Sequence, residues 1–177
     1  MGIDQEKDKR NNKSVIRMEK VRNYLSLVKF SHTIFAMPFA LIGFFAGVFQ
    51  NENSLHTKPW YLRYSITLFL VVVCMITARS AAMAFNRYLD RKIDKVNPRT
   101  AEREIPKGII SAKNALLFTI ISGLLFITST YFINKICFYL SPVALFVILG
   151  YSYTKRFTPL CHLILGLGLS LAPIGAY

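Results

Sequence analysis

Acidic residues are scarce in this chain of 177 residues. Nine Asp and Glu stand against 22 Lys and Arg, for a net charge of +13, and the last acid of either kind is Glu104. No carboxylate-based centre can therefore be built from the residues after it. Cysteine is scarce too. Cys74, Cys137 and Cys161 all lie inside apolar runs. Their odd number and spacing suit neither a disulfide framework nor a zinc site, so they read as buried thiols acting as small hydrophobes. No short apolar region with a small-residue cleavage site follows the polar first 28 residues, so no cleavable signal peptide is expected. Low-complexity tracts and internal repeats are missing as well.

Hydrophobic residues are abundant, at 53% of the chain, with a mean hydropathy of +0.38. That content excludes disorder as the state of the whole chain. A soluble domain this apolar would not normally carry so much unbalanced charge. A membrane protein can, because charge and apolar runs are segregated along its sequence. Five runs are evident: Phe30 to Phe49, Trp60 to Phe85, Ala115 to Ile133, Ile136 to Tyr151 and Leu160 to Tyr177. A span needs about 20 apolar residues, so the fourth is short. Asn134 and Lys135 form so brief a turn that the third and fourth runs must make an antiparallel hairpin. The expected fold is thus all-α, a polytopic membrane helix bundle with about five transmembrane helices.

Residues 1–28 precede the first run as a basic cytoplasmic tail. Met1 to Lys13 is expected to be disordered. Val15, Met18, Val21, Leu25 and Val28 then recur every three to four residues among Arg17, Lys20 and Arg22. That pattern makes a basic amphipathic helix suited to an anionic leaflet, or a helical lead-in to the first span. Lys and Arg concentrate in this segment, in residues 86–114 and in residues 152–159. The intervening loops hold only Lys58 and Lys135. The alternation puts the N-terminus and the basic loops on the cytoplasmic side. Trp60, Tyr61 and Tyr64 would then form an aromatic belt at the opposite face. A bacterial cytoplasmic (inner) membrane is expected, since the N-terminus lacks the Arg/Ser-rich, acid-poor character of a transit peptide. The lipid bilayer is the partner this charge pattern fits, and no nucleic acid is expected.

Chemistry concentrates in Ala78 to Gly108. Asn86, Asp90 and Asp94 are spaced by four, which stacks them on one helical face. Arg79 lies seven residues earlier, two turns along that face, and Asn97-Pro98 should end the helix. Placing an Asp at the bilayer centre costs roughly 2.5–3.5 kcal/mol, so the carboxylates belong at the cytoplasmic mouth. Two carboxylates and an amide are hard oxygen ligands suited to Mg²⁺, which takes its remaining ligands from water and substrate phosphates. Arg99, Arg103 and Lys107 follow the motif, and Lys155 and Arg156 stand at the cytoplasmic end of the fourth run. Metal and cations together suit a diphosphate, both to bind it and to stabilise its departure. The competing reading is a solvated interfacial charge cluster. It is preferred for Lys92, Lys95 and Lys113, whereas the one-face spacing of Asn86, Asp90 and Asp94 favours a site.

NRYLDRKID (86–94) resembles the first aspartate motif, N-x₃-D-x₃-D, of the UbiA superfamily of intramembrane prenyltransferases. The similarity extends through NPRTAEREIPKG (97–108), KFSHTIFAMPFAL (29–41) and YSYTKRFTP (151–159). It looks closest to the 4-hydroxybenzoate polyprenyltransferase branch, including relatives in the futalosine route to menaquinone. The resemblance implies a bundle of nine transmembrane helices, of which residues 29–177 would be the N-terminal part. It implies Mg²⁺ held by two aspartate motifs, a polyprenyl diphosphate donor and an aromatic acid acceptor. Loss of diphosphate would give an allylic cation that the aromatic ring attacks. Asn86, Asp90 and Asp94 match the first motif as metal-binding and catalytic residues. Arg79, Arg99, Arg103, Lys155 and Arg156 stand where diphosphate contacts are expected. His32 and Tyr151 fall in matching segments without an assigned role. Phe35, Phe39, Phe44 and Phe85 could line a tail channel, although core packing is the commoner use of such residues.

The second aspartate motif has no counterpart here. The expectation is therefore a fragment, an interrupted gene or a chain completed by a second polypeptide, with little turnover by the chain alone. A non-catalytic remnant is the alternative. A CDP-alcohol phosphotransferase ranks below both, because no Asp-Gly pair occurs and Asn86 stands where that pattern has Gly.

Overall fold

The computed structural model describes residues 2–50, 60–158 and 161–176. The regular structure among them is helical: α1 (Gly2–Leu27), α2 (Phe30–Gln50), α3 (Trp60–Val96), α4 (Ala112–Ile133), α5 (Lys135–Thr154) and α6 (Cys161–Ala176). Helices α2 to α6 coincide with the five apolar runs. Among the described residues α3, α4 and α5 are long and apolar enough to cross a bilayer. The fourth run proves less short than its apolar stretch, because its helix takes in Lys135 and reaches Thr154, 20 residues in all. Residues 51–59, with Lys58 and its loop, lie outside the described residues.

The expectation of disorder before Lys13 is corrected: α1 starts at Gly2 and runs 26 residues. Beyond Ile3 the segment from Gly2 to Lys13 has little apolar content, but it is rich in helix formers such as Gln5, Glu6, Lys7, Lys9 and Arg10, and propensity summed over such a window carries a helix. Further along α1, Val15, Met18, Val21 and Leu25 are exposed. Leu27 and Val28 turn inward and are buried. Lys29 takes up the left-handed backbone region at φ 46°. There the Lys29 amide donates to the Ser26 carbonyl at 3.0 Å, closing α1 before α2 begins.

Large apolar side chains lie on the outside of the bundle and small or hydroxylated ones inside. On α4 the buried residues are Ala115, Thr119, Ser122, Gly123, Ser129 and Thr130. Leu117, Ile120, Leu124 and Phe132 on the same helix are exposed. On α3 the buried set includes Ala78, Ser80, Ala81 and Ala84. Lipid tails are as apolar as leucine, so burying leucine between helices gains little there, and close backbone packing drives association instead. Several of the inward hydroxyls are satisfied within their own helices. Thr119 donates to the Ala115 carbonyl at 3.0 Å, Ser129 to Leu125 at 2.8 Å and Ser141 to Phe138 at 2.8 Å.

Asn134 alone joins α4 to α5. It ends one helix, and its side chain accepts the Ile136 amide at the start of the next. Gly123 and Leu145 are equally far from this residue, and a Cβ at Gly123 would stand 3.1 Å from a Leu145 methyl. The pair is therefore antiparallel, as the brief turn predicts. At this end Ala40, Phe44, Val71 and Met75 form a core with Tyr64 and Ile133. Phe44 thus serves packing, while Phe39 is exposed and the side chain of Phe35 lies outside the described residues. At the other end Leu27, Ala84, Ile110 and Ala115 form a second core with Tyr24 and Phe118. The end of α1 and the start of α4 meet α3 there, and the residue after α5, Lys155, reaches α3 at Asn86 close by, so the basic segments gather on one side.

With 37 residues, α3 is about 55 Å long, against a hydrocarbon core of about 30 Å. One end has to leave the apolar layer, and it is the charged one. The helix stops at Val96, before Asn97-Pro98, as the proline predicts.

Lys29→Gly should stabilise the chain by roughly 1 kcal/mol, because glycine carries no Cβ penalty in the left-handed region. Lys29→Val should destabilise it. Unfolding midpoints in detergent micelles, followed by circular dichroism, check both.

Candidate functional site: the polar end of α3

Four residues per step on α3 put Asn86, Asp90 and Asp94 one above another, as the spacing predicts. The structure then divides them between two partners. Asn86 and Asp90 face α5. The Lys155 ammonium donates to Asn86 Oδ1 and, at 2.5 Å, to Asp90 Oδ2. Beside it the Arg156 guanidinium donates to Asp90 Oδ1 at 3.3 Å and to the Leu89 carbonyl at 2.6 Å. Both Asp90 oxygens are therefore met by cations from α5, and 14% of the Asp90 side chain is exposed.

Asp94, one turn further, faces the loop that follows α3. Arg103 donates to both of its carboxylate oxygens at 2.8 Å. The Asp94 side chain is 7% exposed and that of Arg103 is 31% exposed. The loop is folded so as to hold Arg103 there. Asn97 Oδ1 accepts the Arg99 amide at 3.0 Å, and Thr100 donates to the Asp94 carbonyl at 3.1 Å. Gly108 supplies a left-handed turn at φ 77°. The buried Ile110 side chain then pins the loop to Ala84 and Ala115. Ser26, at the end of α1, donates to Glu104 Oε1 at 2.5 Å and fastens the loop from the other side.

The remaining candidates are placed apart. Arg79 lies two turns, about 10 Å, deeper along α3, with its Nε buried and without a hydrogen-bond partner among the described residues. Arg99 is exposed on the turn after α3. Lys107 pairs with the exposed Glu102. Tyr151 sits one turn before Lys155, where its carbonyl accepts the Lys155 amide at 3.2 Å. The His32 side chain lies outside the described residues.

Sequence reasoning missed Arg87. Its side chain is among the most buried charged groups, with the residue 5% exposed. It interacts favourably with Glu104, Asp94 and Asp90 and unfavourably with Arg103. Its Nη1 is buried without a hydrogen-bond partner among the described residues. Arg87 lies seven residues before Asp94, the same two-turn interval that singled out Arg79. Applied from Asp94 rather than Asn86, that interval would have found it. The Ser26–Glu104 clasp, between residues 78 apart in sequence, had no comparable signal.

The arrangement bears on a metal in one respect. Asn86 Oδ1 and Asp90 Oδ2 already converge on a single positively charged atom, the Lys155 nitrogen. Two hard oxygen donors aimed at one point, with Asp94 a turn away, fit Mg²⁺. Among the described residues no three Asp, Glu, His or Cys side chains gather at one point, so the amide of Asn86 is needed to complete the set.

Comparison with known proteins bears on residues 36–177, which match the UbiA prenyltransferase family. Over 114 residues the chain is 36% identical to a 4-hydroxybenzoate octaprenyltransferase of Aliivibrio fischeri, covering 62% of this chain and 38% of the relative. A 4-hydroxybenzoate octaprenyltransferase of Vibrio vulnificus is 27% identical over 155 residues, covering 88% and 52%. The solved structure of a UbiA homolog from Aeropyrum pernix K1 superposes with a TM-score of 0.69 at 31% identity, covering 82% of this chain and 49% of that one. A digeranylgeranylglyceryl phosphate synthase, at 20% identity and a TM-score of 0.74, shares the fold. The chain thus spans about half the length of these relatives or less.

Removing Arg103 would leave Asp94 buried and unpaired, the costly way to break an ion pair. Arg103→Ala should destabilise the chain by about 2 kcal/mol, the partial exposure of the guanidinium holding the figure below that of a fully buried pair. Arg103→Ala combined with Asp94→Asn should recover part of that loss. Chemical unfolding in micelles of the single and double variants measures the difference.

Proposed function

The chain belongs to the UbiA prenyltransferase family, and on that premise we propose that it builds the diphosphate-binding half of an aromatic polyprenyltransferase. The donor is a polyprenyl diphosphate and the acceptor an aromatic acid of the 4-hydroxybenzoate type, in quinone biosynthesis. The reading is supported by relatives named for octaprenyl transfer to 4-hydroxybenzoate. The observation that carries it is the convergence of Asn86 and Asp90 on one cationic point, flanked by Arg156.

Asn86, Asp90 and Asp94 would hold Mg²⁺, whose chemistry there is to neutralise charge on the departing diphosphate. Lys155 and Arg156 bring two further positive charges to the same face. Arg79, Arg99 and Arg103 are proposed as further diphosphate contacts. These fixed charges stabilise the leaving group as the carbon–oxygen bond to the prenyl carbon breaks and the electron pair departs with diphosphate. The aromatic ring then supplies the pair for the new carbon–carbon bond and loses a proton. The membrane location follows from the donor, because a long isoprenoid tail is soluble only in the apolar layer. The site opens toward the cytoplasmic face of a bacterial inner membrane, with the N-terminus on that face.

No acid follows Glu104, so a second aspartate motif has to be supplied from outside these 177 residues. The test joins this chain to the C-terminal half of the Aliivibrio fischeri relative. Membranes carrying the fusion should convert labelled 4-hydroxybenzoate and polyprenyl diphosphate to prenylated product when Mg²⁺ is added, and chelation should stop it. Asp90→Asn should lower the rate by about 100-fold or more at equal protein level. No product from a well-inserted fusion would reject the proposal in favour of a non-catalytic remnant.

A further inference from the structure

Lys155 holds the oxygens that a metal would need. Its ammonium donates to Asn86 Oδ1 and to Asp90 Oδ2, while Arg156 occupies the other Asp90 oxygen. We propose that Lys155 is a resident cation that fills the metal point while diphosphate is absent, so that divalent metal and diphosphate each bind more tightly when the other is present. The proposal rests on the metal reading above and adds a coupling that this reading does not contain.

The argument is electrostatic. A divalent ion arriving alone must displace the ammonium from two oxygens. The displaced charge would remain close by, because its side chain is 25% exposed and tethered to the end of α5. Like charges then face each other across a site with little water to screen them. A diphosphate changes the balance by offering the ammonium new acceptor oxygens. Each ligand thereby lowers the cost of binding the other, and the coupling is reciprocal.

Lysine suits this role and arginine does not. A compact ammonium on a flexible four-carbon stem with rotatable donors can exchange one set of acceptors for another. Arg156 is anchored differently, through the Leu89 backbone carbonyl at 2.6 Å. It can keep the end of α5 on α3 while Lys155 moves. The adjacent pair thus divides the work into one fixed clamp and one exchangeable cation.

Equilibrium dialysis of the full chain in nanodiscs, with radioactive Mn²⁺ as the metal probe, tests the idea without turnover. Inorganic pyrophosphate is present or absent on both sides of the membrane, so that only protein-bound metal is scored. The unsubstituted chain should bind Mn²⁺ about ten-fold more tightly with pyrophosphate than without it, within the usual range of coupling. Lys155→Met should bind Mn²⁺ alone about ten-fold more tightly than the unsubstituted chain and lose most of the pyrophosphate effect. Lys155→Gln repeats the measurement should the methionine variant fail to fold. Lys113→Met removes an exposed charge elsewhere and should change nothing.

Equal Mn²⁺ affinity in Lys155→Met and the unsubstituted chain would overturn the coupling and leave the metal site standing. Equal tightening by Lys113→Met would overturn it too, by reducing the effect to net charge. Absence of Mn²⁺ binding in every form, with and without pyrophosphate, would overturn the metal reading and the coupling together.

Discussion

Close approach of α3, α4 and α5 through small side chains is the constraint on which the rest of the molecule depends. In lipid, helices gain little by burying leucine against leucine, and their association rests on dense backbone packing. Ala78, Ala81 and Ala84 on α3, with Thr119, Ser122 and Gly123 on α4, allow it. Leu145 on α5 packs onto Gly123 where any other residue would place a Cβ at 3.1 Å. With the three helices this close, the end of α5 meets the charged end of α3. Lys155 reaches Asp90 only because hydroxyls and methyls, rather than isobutyl groups, fill the space between.

The polar end is built from matched charges rather than from a pool of positive ones. Asp90 takes its cations from α5, and Asp94 takes its cation from the loop after α3. Arg87, on the same stretch of α3, is buried as well. An unpaired carboxylate at the edge of the apolar layer would cost several kcal/mol, and each of these has a partner. The same pairing keeps the oxygens aimed. Asn86 through Arg156 supply the whole arrangement, so a chain spanning about half of its relatives' length contains it in full.

The outer surface answers to a different solvent. Leu117, Leu124, Phe132 and Phe146 point away from the bundle, an exposure that only a lipid environment makes favourable. At the basic end, α1 presents Val15, Met18, Val21 and Leu25 among its lysines and arginines. It turns sharply at Lys29 into α2. The Ser26–Glu104 hydrogen bond ties this surface helix to the loop that carries Arg103. One strand of contacts therefore runs from α1 to Asp94.

By itself the sequence determined helices α2 to α6, though not the first half of α1. Apolar run length, the turn at Asn134 and the stop at Asn97-Pro98 are local, and lipid demands that every spanning backbone satisfy itself within a helix. It also determined that Asn86, Asp90 and Asp94 share a face, because 3.6 residues per turn is a property of the helix and not of the fold. Only the tertiary structure decided who meets them. Lys155 lies 65 residues from Asp90 and Glu104 lies 78 from Ser26. No periodicity reports on contacts between elements whose positions are fixed by packing. For the same reason the parting of Asp94 from its two neighbours had no signal in the sequence. A helix face covers only about one side of a cylinder, and which helix or loop lies against each turn of it is settled by the bundle.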